Sequence, residues 1–443
     1  MDRAAYIGDF QMKLNYFKSC GLFAVITLCI GFLSCASFSF SVPESSQVPE
    51  DFFGISPDRS PLNKEDFDLL DDFSATWIRT TIHWSSVEPE EGKWNFDRWD
   101  DYLEKADAAG KKVIFILGFD NGWLFSNNKE RRKITDKELP YYLKYVEQVV
   151  SRYRTRVIYE IWNEPNVIFW KGSNKQFFAL SAAAAEKIRE TEPEAVILAG
   201  STFRVSKRFT RGMFNSGAMV HADGFSVHPY ATTPKATIQQ YNKLQKILGG
   251  FEFNKPVWVT EVGYFTGPRP FFSTKQYPEY IVKTLSSLSA RSGEIRNIIW
   301  YELMDDYNPG EVKKPLNPLN YLGLIYPNKI FKPGAEAFML TAGYLAGSEY
   351  KPELPLRDKA AKKVTSLYFL KEDGTSVLIL WKDGAGKRKL RLSVPNAANL
   401  SRHNIHNREV IHLTAEPVLE VRREPVFITW SGGDLPRLNG LEK

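Results

Sequence analysis

Two glutamates stand where chemistry could be done. Glu164 lies in the run Tyr159-Glu160-Ile161-Trp162-Asn163-Glu164-Pro165-Asn166, and Glu261 in Pro256-Val257-Trp258-Val259-Thr260-Glu261-Val262-Gly263-Tyr264. Each follows an apolar, β-branched stretch that reads as a buried strand. Pro165 cannot donate to a sheet ladder, so the first strand must stop beside Asn163 and Glu164. A carboxylic acid next to an amide at a strand end can protonate a leaving-group oxygen while the amide grips a sugar hydroxyl. A second carboxylate on another strand end completes the pair that glycosidic bond cleavage needs. To give up a proton at neutral pH, one acid of such a pair must hold it more tightly than usual, which burial and a second carboxylate both favour.

The elements that would carry these residues form a repeating pattern. Strands are expected at 52–55, 76–84, 112–118, 156–162, 195–200, 224–228, 256–261 and 295–300. Helical stretches fall between them at 97–109, 139–152, 175–190, 233–248, 277–291 and 334–345. Val- and Ile-rich strands separated by helices imply a parallel sheet covered on both faces. Eight of them imply an α/β fold of the (β/α)8 TIM-barrel type, with its site at the strand C-termini. No Gly-rich phosphate loop follows the first strand, which argues against an open doubly wound sheet. After about residue 350 the helical pattern gives way to strands at 364–370, 376–381, 387–394, 416–421 and 425–428, with Asp373-Gly374 as a tight hairpin turn. The expected organisation is a signal or anchor segment with tether (1–48), a catalytic barrel (49–348), an all-β sandwich domain (349–433) and a tail (434–443).

The spelling Glu160-Ile-Trp-Asn-Glu-Pro-Asn166, with a later strand ending at Glu261, resembles the clan of retaining glycoside hydrolases built on (β/α)8 barrels. Within it the motif leans toward family 39, which includes exopolysaccharide-cleaving bacterial members. The resemblance implies Glu164 as acid/base and Glu261 as nucleophile. It implies that Asn163 binds the sugar 2-hydroxyl and that Arg79 holds the nucleophile ionised and oriented. His228 and Tyr230, in His-Pro-Tyr after the sixth strand, would border the catalytic carboxylates. An aromatic floor under the sugar would come from Trp300, with Trp84, Trp123 and Trp162 as competitors. Strand alternation could instead bury Trp162. His83 after the second strand, and Asn121 and Trp123 after the third, are further candidates to touch sugar hydroxyls. Each has a plain structural alternative: a buried ion pair for either glutamate or for Arg79, and a core histidine for His228.

The chain has 443 residues, enough for a barrel and a second domain. Aromatics reach 14%, which agrees with rings that stack on the C–H faces of sugars but is met by ordinary cores as well. The net charge of +6 is mild and lacks a dense Lys/Arg block, which argues against nucleic acid and leaves room for an anionic glycan. The six histidines show no paired spacing that makes a metal site, so no metal and no cofactor is expected. A carbohydrate is the expected partner of a monomer.

All three cysteines, Cys20, Cys29 and Cys35, fall in the first 35 residues, leaving no disulfide framework for the folded body. Lys13 and Lys18 precede an apolar run from about residue 21 to 40, the pattern of an export signal. Phe32-Leu33-Ser34-Cys35 resembles a relaxed bacterial lipobox, so lipid attachment at Cys35 is expected. An uncleaved anchor or simple release are the alternatives, and each places the catalytic body in the cell envelope, outside the cytoplasm. Two competing functions remain. A non-catalytic glycan-binding envelope protein would not need both glutamates, and a Ser-His-Asp hydrolase would need a Gly-x-Ser-x-Gly elbow that the chain lacks.

Overall fold

The computed structural model describes residues 45–57, 62, 64–125, 132–267, 276–307, 318–352, 363–432 and 435–441. The export segment, with Lys13, Lys18 and Cys35, lies outside the described residues. Among the described residues no helix is long and apolar enough to cross a membrane.

Eight parallel strands close into a barrel: β1 (Phe53–Ser56), β2 (Trp77–His83), β3 (Lys112–Gly118), β4 (Ile158–Ile161), β5 (Ile197–Phe203), β6 (Gly224–His228), β7 (Val257–Val262) and β8 (Ile295–Tyr301). Closure is made where β8 pairs in parallel with β1, Gly54 opposite Ile299. Eight helices alternate with them: α1 (Lys64–Asp72), α2 (Asp97–Ala108), α3 (Leu139–Tyr153), α4 (Asn174–Thr191), α5 (Lys207–Asn215), α6 (Pro234–Leu248), α7 (Tyr277–Ser289) and α8 (Pro333–Leu345). Sequence periodicity predicts six of these helices and misses α1 and α5. Those two have only nine residues each, and a two-turn helix carries too few apolar repeats to stand out.

Side-chain alternation divides each strand between two cores. Trp77, Ile114, Ile158, Leu198, Trp258 and Ile299 point inward and form an apolar plug in the barrel. Their neighbours Ile78, Val113, Tyr159, Ile197, Val259 and Ile298 point outward into the core shared with the helices. The two plug tryptophans meet edge to face at 5.5 Å. Glycines make room for them: a Cβ on Gly54 would lie 2.6 Å from that of Trp77, and one on Gly224 would lie 2.6 Å from the Trp258 ring.

Beyond α8 lies a C-terminal β domain, as the sequence predicts. Its strands are β9 (Ser348–Tyr350), β10 (Val364–Lys371), β11 (Thr375–Lys382), β12 (Arg388–Ser393), β13 (Ala398–His403), β14 (Val410–His412), β15 (Val418–Val421), β16 (Val426–Ser431) and β17 (Arg437–Gly440). Strands β9-β10-β11-β16-β13-β14 make one sheet, extended at its β9 edge by Ser46–Gln47, and β15-β12-β17 make the other. Period-two alternation again does the work. On β11, Leu378 and Leu380 face the second sheet's Leu390 and Leu419, whereas Val377, Ile379 and Trp381 join the barrel's core. The central strands of that sheet thus tie the domain to the barrel through one face. Arg437–Gly440, expected in a tail, is instead a strand paired to β12. Strands β13 and β14 are also absent from the sequence reading, because β13 is largely polar and β14 has only three residues.

Candidate active site

Two residues above the apolar plug, the same strands change character. Arg79 follows Trp77 on β2, Glu160 follows Ile158 on β4, Ser226 follows Gly224 on β6 and Thr260 follows Trp258 on β7. All four side chains are buried, Glu160 with no exposed surface. Arg79 is the hub. Its Nε donates to Glu160 Oε2 at 2.5 Å, Nη1 to Glu261 Oε1 at 2.8 Å and Nη2 to Asn163 Oδ1 at 2.7 Å. Burial opposes its charge, but the adjacent carboxylates of Glu160 and Glu261 outweigh burial and bind its proton more tightly than usual. The charged arginine of an apolar strand therefore has three strong acceptors, which is what its burial requires.

Local backbone irregularities aim the remaining groups. At the end of β4, Trp162 and Glu164 adopt left-handed φ of 65° and 44°. Such conformations persist only where surroundings enforce them. Here the Glu164 N–H donates to the Ser201 carbonyl at 2.8 Å. The turn sends Trp162 outward, where it meets Phe119 at 5.3 Å and donates to the Phe169 carbonyl at 3.0 Å. It leaves Asn163 on Arg79. The β7–β8 register shifts between Val259 and Val262, so the adjacent residues Thr260 and Glu261 both reach the inner layer. Thr260 donates to Glu160 Oε1 at 2.9 Å while Glu261 meets Arg79. A second register shift, on β5 between Ala199 and Thr202, accompanies Ser201, whose hydroxyl accepts from Arg79 at 3.4 Å.

Glu164, His228 and Glu261 form a buried cluster whose donor atoms lie within 4.8 Å of one another. His228 Nε2 lies 3.4 Å from Arg79 Nη2. A guanidinium can only donate, so Nε2 accepts and the ring proton belongs on Nδ1. From there it donates to Glu164 Oε1 at 3.0 Å, with Glu261 Oε2 at 3.6 Å. Tyr230 donates its phenol proton to Glu261 Oε2 at 2.8 Å. Burial first, then Glu261 and Glu164, push that phenol well above its usual range, so it remains a donor. Such a trio could offer ligand atoms to a cation. The Arg79 charge on Glu261 opposes one, and the same atoms are already hydrogen-bonded to protein.

The structure thus gathers Arg79, Asn163, Glu164, His228, Tyr230 and Glu261. It does not gather all the rest. Trp300 faces the helix layer, donates to the Tyr277 hydroxyl at 3.2 Å and packs against Phe338 of α8. It is not a sugar floor, because β8 alternation turns Tyr301 inward instead, beside Tyr230 and Phe265. Trp84 is fully buried, stacked on Tyr145 and bonded to Glu88. Asn121 and Trp123 both donate to the Glu88 carbonyl, at 2.6 Å and 3.0 Å. These three brace the loops after β2 and β3 rather than reach the carboxylates. His83, partly exposed at the β2 exit, packs at 5.9 Å against Phe119.

Sequence reasoning missed Glu160, Ser201, Thr260 and Tyr301. Glu160 had a signal: like Arg79, it is a lone charge inside an apolar strand, and each needs a partner. Ser201 had none, since a register shift brings it inward; Thr260 lies in phase with Trp258, but a buried threonine on a β-branched strand does not stand out.

Residues 43–300 match the family model described as cellulase, glycosyl hydrolase family 5. The chain belongs to that family. In wider terms this family 5 protein is a clan-A (β/α)8-barrel glycosidase whose fold is similar to those of families 30 and 39. Its fold is similar to that of a family 39 glycoside hydrolase from Bacteroides cellulosilyticus WH2, with TM-score 0.71 and 20% identity over 87% of this chain and 81% of the other. The family 39 enzyme of Xanthomonas axonopodis pv. citri gives TM-score 0.62 and 14% identity, covering 90% and 100%. A family 30 subfamily 8 xylanase from Clostridium acetobutylicum gives 0.57 and 12%, covering 88% and 98%. No curated protein matches the sequence. The buried Glu164–His228–Glu261 cluster is consistent with the two-carboxylate site of retaining glycosidases.

Proposed function

We propose that the protein is a retaining β-glycosidase that hydrolyses O-glycosidic bonds in a polysaccharide or oligosaccharide by double displacement. Glu261 attacks the anomeric carbon and forms a glycosyl ester. Glu164 protonates the departing oxygen and then, as a base, takes the proton of the incoming water. The observation that carries this reading is the approach of the two carboxylates, one oxygen of each lying within 4.8 Å of the other. Retention uses carboxyl groups about 5–5.5 Å apart, whereas inversion needs roughly 6.5–9.5 Å to admit a water. Arg79 and Tyr230 donate to Glu261; they keep it ionised and hold its attacking oxygen. His228 bonds to Glu164 Oε1 and fixes the position of the proton donor. Asn163 is assigned to the sugar 2-hydroxyl, and Tyr301 takes the floor position that Trp300 leaves.

The Glu-Ile-Trp-Asn-Glu-Pro-Asn spelling and the fold likeness to two family 39 enzymes favour a family 39-like substrate range. The mild positive charge favours an anionic glycan. The enzyme is assigned to the cell envelope, held there by Cys35 and supported by Lys13, Lys18 and the apolar run that follows them. A screen of diverse β-linked glycans, with the anomeric configuration of first products followed by NMR, tests the reading. Products of retained configuration are expected. Inverted first products would overturn double displacement, and no cleavage of any glycan would overturn the glycosidase reading.

A further inference from the structure

Glu160 is a carboxylate that the double-displacement scheme does not use. It is fully buried and shares Arg79 with Glu261. Both its oxygens are engaged, Oε2 by Arg79 Nε at 2.5 Å and Oε1 by the Thr260 hydroxyl at 2.9 Å. Its partners across the β3 and β5 ladders are Ile116 and Leu198, so an apolar side chain would suit the position. A buried ion pair is no gain in stability over well-packed hydrophobic residues, which points to a role beyond stability.

The geometry supplies one. Arg79 is a rigid fork with donors in fixed directions. With Nε pinned by Glu160, Nη1 is aimed at Glu261 and Nη2 at Asn163, at 2.8 Å and 2.7 Å. Resting on the reading of Glu261 as nucleophile, we propose that Glu160 is a positioning residue that tunes Glu261 through Arg79. Its bond to Nε sets the direction of Nη1, and its charge takes up part of the guanidinium's attraction. An undivided Arg79 charge would hold Glu261 ionised at the expense of its power to attack. The charged and titratable groups around this pair are Arg79 from β2, Glu164 after β4, His228 and Tyr230 from β6 and the turn after it, Glu261 from β7 and Tyr301 from β8. Thr260 is the only other polar group on Glu160 among the described hydrogen bonds.

Glu160→Gln separates charge from shape. The amide oxygen can still accept from Arg79, and the amide nitrogen can donate to the Thr260 hydroxyl. Loss of a like charge, with Arg79 no longer shared, favours the ionised form of every nearby acid. Both limbs of the kcat/KM–pH profile should therefore move to lower pH, by about one unit, with kcat down about tenfold and KM little changed. The Glu261 carboxyl carbon, labelled with carbon-13 and assigned by Glu261→Gln, should titrate at lower pH in Glu160→Gln than in wild type, a readout that needs no turnover. Glu160→Asp keeps the charge but cannot reach Nε, so its limbs should stay in place while kcat falls. An active Glu160→Gln enzyme with wild-type limbs and a wild-type carbon titration would overturn the proposal, reducing Glu160 to a packing role. Should Glu160→Gln fail to fold, wild-type kcat in Glu160→Asp would overturn it instead. A wild-type protein inert on every β-glycan would overturn the glycosidase reading on which the proposal rests, and the carbon titration would still report whether Glu160 acts on Glu261.

Discussion

The barrel interior holds two layers built by the same strands, two residues apart. In the lower one Trp77, Ile158 and Trp258 interlock as an apolar plug. In the upper one Arg79, Glu160 and Thr260 form a hydrogen-bonded charge network. Both are buried, and both point the same way along β2, β4 and β7. The difference is in what each layer needs from its neighbours. The plug needs only shape and volume, and glycines at 54 and 224 supply the space. The charged layer needs every donor and acceptor satisfied, because an unpaired buried charge is costly. It therefore recruits residues that alternation alone would not deliver, through a left-handed turn at Glu164 and a register shift before Val262. The barrel thereby keeps stability in one layer and chemistry in the next.

That separation can be broken by substitution. Glu261→Ala should be the most damaging change: turnover with retention falls by about 10⁴-fold or more, as for loss of a catalytic nucleophile. Added azide should restore turnover by attacking the vacated face, giving a glycosyl azide of inverted configuration, read by NMR. An inverted azide from Glu164→Gln but not from Glu261→Ala would show the two roles to be exchanged.

Glu164→Gln comes next. On glycosides with poor leaving groups kcat should fall about 10²–10⁴-fold, the usual worth of general acid/base catalysis. Aryl glycosides with excellent leaving groups need little protonation, so their glycosylation step, followed by the release of the phenol in a burst, should be nearly unaffected. Equal losses on both kinds of substrate would remove Glu164 from the acid role.

Arg79→Met tests whether the layers are energetically distinct. It strips the shared partner from Glu160 and Glu261, which should cost about 3–5 kcal/mol in urea unfolding as well as activity. Adding Glu160→Gln to it should recover part of the stability but not the activity. Recovery of both would show that Arg79 serves packing alone.

Trp258→Ala should have the smallest effect on chemistry. Emptying the plug should cost about 3–5 kcal/mol of stability, measured by urea unfolding, while kcat of the folded enzyme stays near wild type. A collapse of kcat with stability intact would mean that the plug sets the catalytic geometry directly and would erase the contrast between the layers.

Much of the charged layer was legible in the sequence because its members break the pattern of their strands. Arg79 interrupts the apolar β2, and Asn163 and Glu164 precede a proline that must end β4. The tryptophans were read less well. Trp300 and Trp84 have the right type and the right height for a sugar floor, yet both face the helix layer. Facing is decided by one residue of register, and a bulge or a left-handed turn changes the parity without altering composition. Asn121 and Trp123 were read as cleft residues because they follow a strand end. Their donors instead reach the Glu88 carbonyl on a neighbouring loop, 33 and 35 residues away in the chain.

The sequence by itself determined the eight barrel strands, six of the eight helices between them, the β domain that follows and the two glutamates at strand ends. Each of these rests on local facts: a period of 2 or 3.6, a proline, a charge in an apolar run. Only the tertiary structure decided that Glu160 shares Arg79 with Glu261, that His228 bonds to Glu164 and that Tyr301 rather than Trp300 turns inward. Those pairings join residues up to 182 positions apart. They depend on barrel closure and on irregularities of single residues, which short-range patterns do not encode.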